Sequence, residues 1–82
     1  MNIKIRAFGR YKDLMGKSEI KIKLKKGKTI WDVIDLLTEK YPILEKEKRF
    51  IIVSRNHTYA SLETKLQDGD VITISPPIVS GG

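Results

Sequence analysis

The chain has no cysteine and a single histidine, His57. Without thiols there is no disulfide framework, no thiolate metal site and no cysteine nucleophile. One imidazole does not make a multi-histidine metal centre. Aromatic residues are scarce, at 7%. No apolar run approaches the roughly 20 residues of a membrane-spanning helix, and no secretory leader pattern opens the sequence. Together these absences exclude most self-contained catalytic sites. They lead us to expect a cytoplasmic module that works with a partner protein and has no metal and no membrane contact.

What remains is 82 residues, 40% hydrophobic and 32% charged, which is one domain with one modest core. The net charge of +6 is unevenly spread. Residues 1–28 hold ten basic and two acidic side chains, and residues 29–82 hold six basic and eight acidic ones. A basic segment of this kind is either the solvated outer face of two strands or a docking surface for an acidic protein. A nucleic-acid surface would interleave aromatic or arginine side chains with the lysines. The stretch 17–28 has neither, so no nucleic-acid partner is expected.

Periodicity gives the element order. Residues 2–8 alternate, with Ile3, Ile5 and Ala7 against Lys4 and Arg6, and residues 19–25 alternate likewise, with Ile20, Ile22 and Leu24 against lysines. These read as two half-buried strands joined by a polar connection over 9–18. Thr29 with Asp32 forms a capping-box pattern, and Ile30, Val33, Ile34, Leu37 and Tyr41 follow at helical spacing until Pro42. Trp31 lies off the centre of that stripe, at the edge of a core. A charged connector over 45–49 leads to the apolar run 50–54, expected as a central strand or one buried on both faces. A turn at Arg55 and Asn56 precedes a short strand over 58–60. The turn 67–70 precedes a last strand carrying Ile72 and Ile74, which Pro76 and Pro77 end. One helix across a mixed sheet of four to five strands is an α+β, β-grasp (ubiquitin-like) arrangement, covering residues 1–77.

Residues 78–82 have no place in that plan and are expected to project as a tail of at most about 17 Å. A protein without an internal catalytic set that ends in Gly81-Gly82 suggests that its terminal carboxylate is the reactive group. At neutral pH that carboxylate is ionised and a poor electrophile. It becomes reactive once activated, for instance as an acyl-adenylate. Glycines suit a tail threaded into a narrow channel, because without Cβ they allow close approach on every side.

Five stretches together resemble one family: Phe8-Gly9-Arg10 with Leu14 and Gly16; residues 29–34 running to Tyr41-Pro42; Leu66-Gln67-Asp68-Gly69-Asp70; Pro76-Pro77; and Ser80-Gly81-Gly82. The chain is similar along its whole length to the MoaD family, the small subunit of molybdopterin synthase. The resemblance implies a sulfur carrier that is not catalytic alone. In that family's chemistry, the Gly82 carboxylate is adenylated by a ubiquitin-activating-like adenylyltransferase using ATP and converted to a thiocarboxylate. The tail residues Ser80, Gly81 and Gly82 then enter the large subunit's active site and give sulfur to cyclic pyranopterin monophosphate, for molybdenum or tungsten cofactor. Phe8, Pro76, Pro77 and Ile78 are implied as the docking surface, and no bound cofactor is implied. Three residues separate Pro77 from the final glycines where the family commonly has two, which lengthens the arm by about 3.4 Å. The same activated terminus serves two other roles, an archaeal-type ubiquitin-like protein modifier and a sulfur donor for tRNA thiolation. His57 receives no role.

Overall fold

Alternating isoleucines set the first two strands, β1 (Asn2–Ala7) and β2 (Glu19–Lys23), in a computed structural model that describes residues 1–77. They pair antiparallel, with Ile3 opposite Ile22 and Ile5 opposite Ile20. The isoleucines therefore share one face, and Lys4, Arg6, Lys21 and Lys23 share the other.

The stretch read as a polar connection contains a helix, α1 (Arg10–Met15). Its buried residues, Tyr11 and Met15, lie one helical turn apart, while Lys12 and Asp13 between them stay in solvent. Two inward side chains suffice to seat so short a helix, and two are too few to register as a period. The Tyr11 side chain is fully buried, and burial raises its hydroxyl pKa, partly offset by Arg10.

The main helix, α2 (Ile30–Lys40), buries Ile30, Val33, Ile34 and Leu37 as one stripe against the sheet. Each such side chain contributes roughly 1.5–3 kcal/mol on removal from water. At its N-terminus the Asp32 carboxylate accepts hydrogen bonds from the Thr29 N–H at 2.7 Å and the Thr29 hydroxyl at 3.1 Å. The backbone bond to Thr29 is the chief reason the Asp32 carboxyl sits below its ordinary pKa. Trp31 stands at the rim of the core, 37% exposed. The charged connector after Pro42 is a 3-10 helix over Pro42–Glu47 that buries Leu44. An ion pair between Arg10 and Glu47 ties it to α1.

The remaining strands are β3 (Ile52–Arg55), β4 (Thr58–Tyr59) and β5 (Val71–Ser75). The sheet order is β2-β1-β5-β3-β4, with β5 parallel to β1 and antiparallel to β3. This corrects the reading of 50–54. The middle strand is β5; β3 is an inner strand, bonded to β5 and β4, but it has one buried face only, because no layer among the described residues covers the side of the sheet opposite α2. Val53 is buried, Ile52 is half-buried, and Phe50 precedes the strand with 60% of its surface exposed. Asn56 and His57 both have positive φ, 50° and 72°, forming the two-residue turn between β3 and β4. Residues 78–82, including the expected tail, lie outside the described residues.

Candidate functional site

The two ends of β5 carry the residues that the sequence singled out. At the N-terminal end, Asp70 is 4% exposed. Its carboxylate accepts hydrogen bonds from Arg55 Nε at 2.7 Å, the Gln67 N–H at 2.8 Å and Asn56 Nδ2 at 3.0 Å. Burial opposes ionisation, but these three donors outweigh it and hold the carboxyl below the usual carboxylate range. Asn56 accepts in turn from the Val71 N–H at 2.9 Å. Gly69, at φ 85°, takes the left-handed turn that lets its N–H reach the Asn2 carbonyl at 2.8 Å. The Leu66-to-Asp70 motif is thus a clamp that fixes the β3–β4 turn and the start of β5 to β1. It orders the fold, and the Asp70 carboxylate is wholly engaged in doing so.

The C-terminal end is where Phe8, Pro76 and Pro77 come together. The Phe8 N–H donates to the Ile74 carbonyl at 3.0 Å, continuing the β1–β5 pairing one residue past the strand. Gly9 then turns the chain away at φ 60°, ψ −139°, a conformation open to glycine. A Cβ at Gly9 would lie 3.2 Å from Pro76 Cγ. The backbone of Gly9 is therefore the surface on which Pro76 rests, and it sets the direction in which the chain leaves the sheet. Pro76 and Pro77 are half-buried. Ile78, Ser80, Gly81 and Gly82 lie outside the described residues.

Next to that exit is a shallow groove of about 350 Å³ on the uncovered face of the sheet, lined by Arg6, Phe8, Ser54, His57, Tyr59, Thr73 and Ser75. Register explains the grouping. Arg6 is opposite Thr73, Thr73 opposite Ser54, and Ser54 opposite Tyr59, so one row of side chains crosses four strands. Phe8 is 49% exposed and Tyr59 80% exposed. The Arg6 guanidinium carbon lies 5.6 Å from the Phe8 ring centroid. Phe8 thus faces solvent as strand alternation required, and it is not part of a second core. Arg6, Tyr59, Thr73 and His57 were not anticipated as members of this surface. Local signals for it were the exposed Tyr59 on a predicted strand and Arg6, which alternation along β1 puts on the same face as Phe8. Among the described residues, no group of three or more His, Asp or Glu side chains is placed to hold a metal ion. Among the same residues no helix is long and apolar enough to cross a membrane.

Comparison with known proteins agrees with this geometry. The ThiS family matches residues 5–82. The molybdopterin synthase sulfur carrier subunit of Arabidopsis thaliana is 32% identical over 82 residues, covering 100% of this chain and 84% of that protein. A Pyrococcus furiosus structure described as molybdopterin converting factor, subunit 1, superposes with a TM-score of 0.86 at 26% identity, covering 95% of this chain and 99% of that one. The small archaeal modifier protein 1 (SAMP1) of Methanosarcina acetivorans superposes at 0.81 with 31% identity, covering 99% and 96%. A β-grasp body, the motif residues in their structural places and these whole-length likenesses make one case: the chain belongs to the ThiS family and is a sulfur carrier of the ThiS/MoaD type, homologous to the small subunit of molybdopterin synthase.

Proposed function

We propose that this chain is the sulfur-donating subunit of a molybdopterin synthase and that its reactive atom group is the carboxylate of Gly82. The observation that carries the reading is the brace at the chain's exit. Gly9 supports Pro76 beside the exposed Phe8 and the groove, so a partner seated on that face meets the root of the Gly-Gly segment.

The chemistry balances without any group from the folded body. A carboxylate oxygen of Gly82 attacks the α-phosphorus of ATP in an adenylyltransferase, and pyrophosphate leaves. A sulfur nucleophile delivered at the oxidation level of sulfide adds to the acyl carbon and expels AMP, leaving a thiocarboxylate. The chain has no cysteine, so this sulfur comes from outside. In the large subunit the thiocarboxylate gives its sulfur to cyclic pyranopterin monophosphate, and water returns the carboxylate. The body's contribution is placement: Phe8, Pro76 and Pro77 hold the partner and aim the segment that carries Ser80, Gly81 and Gly82.

The likeness to SAMP1 favours a second reading, in which a lysine amine attacks the activated Gly82 and forms an isopeptide bond. Intact-mass spectrometry of the protein recovered from its own cells tests both. The carrier reading expects the mass gain of one oxygen replaced by sulfur, removed by alkylation and hydrolysis. Recovery of the chain only as a lysine conjugate, with no thiocarboxylate form, overturns it in favour of the modifier.

A further inference from the structure

The sheet has two edges, and they are unlike. β4 is a two-residue edge, whereas β2 presents five residues, and β2 carries the basic segment that the sulfur-carrier reading leaves without a role. The Ala7 N–H donates to the Ser18 carbonyl, and the Leu24 N–H to the Met1 carbonyl, both at 2.9 Å. With the β1–β2 register, these bonds make Ser18, Ile20, Ile22 and Leu24 the residues whose backbone faces β1. Glu19, Lys21 and Lys23 therefore point their N–H and C=O groups away from the sheet. Among the described residues, no backbone bond outside the β1 ladder reaches those groups.

The side chains of the same edge are sorted by face. Lys21 and Lys23 stand on the uncovered face, both exposed, and neither has a carboxylate within 4.0 Å among the described residues. With Lys4, Asn2, Gly69 and Val71 they line a groove of about 480 Å³. On the other face Ile22 and Leu24 are half-buried, at the margin of the core where α2 no longer covers them.

We infer that the β2 edge binds an extended acidic segment of a partner protein as an added sheet strand. The added strand takes the outward N–H and C=O groups of residues 19, 21 and 23. Its alternate Asp or Glu side chains lie over Lys21 and Lys23, Lys4 being already paired with Glu19 at 3.8 Å, and the apolar residues between them cover Ile22 and Leu24. The charge pattern selects the occupant. Two unpaired lysines two residues apart on one face require acids at the same spacing, and the apolar face beneath requires a strand of alternating character. A second copy of β2 paired antiparallel about Lys21 matches Lys23 with Glu19 but sets Lys21 against Lys21, so an acidic segment satisfies the lysines of this edge more fully. This surface is distinct from the Phe8 and Tyr59 groove, so both are open to occupation at once.

The test is titration of the isotope-labelled full chain with an eight-residue peptide alternating Glu with Val or Thr, followed by amide chemical shifts. The expected result is saturable shifts concentrated at residues 19, 21 and 23, with the Phe8 and Tyr59 amides unmoved. Lys21→Gln with Lys23→Gln weakens binding about tenfold, the loss of two exposed ion pairs. Lys21→Pro removes an outward N–H while leaving the β1 ladder intact, and weakens binding by a similar factor. A peptide N-methylated at alternate amides repeats that test on the unaltered protein. Equal binding of a peptide of the same composition with its glutamates clustered overturns the inference, as does tighter binding of an oligothymidylate of equal charge. Absence of binding at millimolar peptide overturns it too.

Discussion

Asp70 and Pro76 flank the five residues of β5, and both are motif residues, yet they do opposite things. At Asp70 every polar atom is spent inward: Arg55, Asn56 and the Gln67 N–H converge on one carboxylate. At Pro76 the chain is relieved of hydrogen bonding, because two consecutive prolines offer no N–H to the sheet, and its support is the bare backbone of Gly9. One end locks the fold and the other ends the strand. A motif shared across a family therefore marks two requirements that have to be separated physically, and burial separates them.

Four tests press on that difference. The largest effect expected is from deleting Gly82. Sulfur transfer assayed with the reconstituted partner should fall to background, while the melting temperature moves by no more than about 1 °C, since a terminal residue adds little to the core. A truncated chain that still supported cofactor assembly would remove the basis for placing the chemistry at the terminus. Next, Asp70→Ala leaves a guanidinium and a backbone N–H without their acceptor. A cost of about 2–3 kcal/mol is expected, with a fall in Tm of roughly 10–20 °C in thermal melts. Partner affinity measured well below that Tm should be unchanged.

Gly9→Ala comes third, because it strains a positive φ and forces Pro76 aside. Stability should drop by about 1–2 kcal/mol, and transfer should slow several-fold beyond what the stability loss explains. A variant that transfers sulfur at the normal rate would show that the direction of exit is immaterial. Asp70 and Gly9 share no partner, so the double variant should show additive losses in stability.

The smallest effect is on pH. The Asp70 carboxyl titrates below its unfolded value near 4. Its contribution is full above that pH and fades as the pH falls through the lower folded value. Urea midpoints taken from pH 7 down to pH 3 should decline on the acid side, and Asp70→Asn should flatten that decline. An acid limb identical in both proteins would assign the acid sensitivity to other carboxylates.

Much of the fold was readable because four elements are periodic. The isoleucines of β1, β2 and β5 alternate, and the α2 stripe recurs every three or four residues between Thr29 and Pro42. α1 escaped because Tyr11 and Met15 alone define its inward face. The run 50–54 looked more buried than it is, since hydrophobicity alone does not say how many layers cover a strand. At the site, alternation along β1 put Phe8 outward and the paired prolines marked the end of β5, while a docking role for Phe8, Pro76 and Pro77 came only with the family resemblance. The row from Arg6 to Tyr59 was not, because it depends on the register of four strands far apart in sequence. The role of Asp70 was hidden for the same reason, since Arg55 reaches it from 15 residues away.

Parallel pairing of β1 with β5 has a practical corollary. The amino group of Met1, bonded to the Leu24 carbonyl at 2.6 Å, sits at the far end of the sheet from Pro76, about eight strand residues or 26 Å away. Affinity handles, fluorophores or a whole second protein spliced ahead of Met1 would thus attach on the side remote from the exit. Engineered fusions at that position should leave the carrier's business end unencumbered.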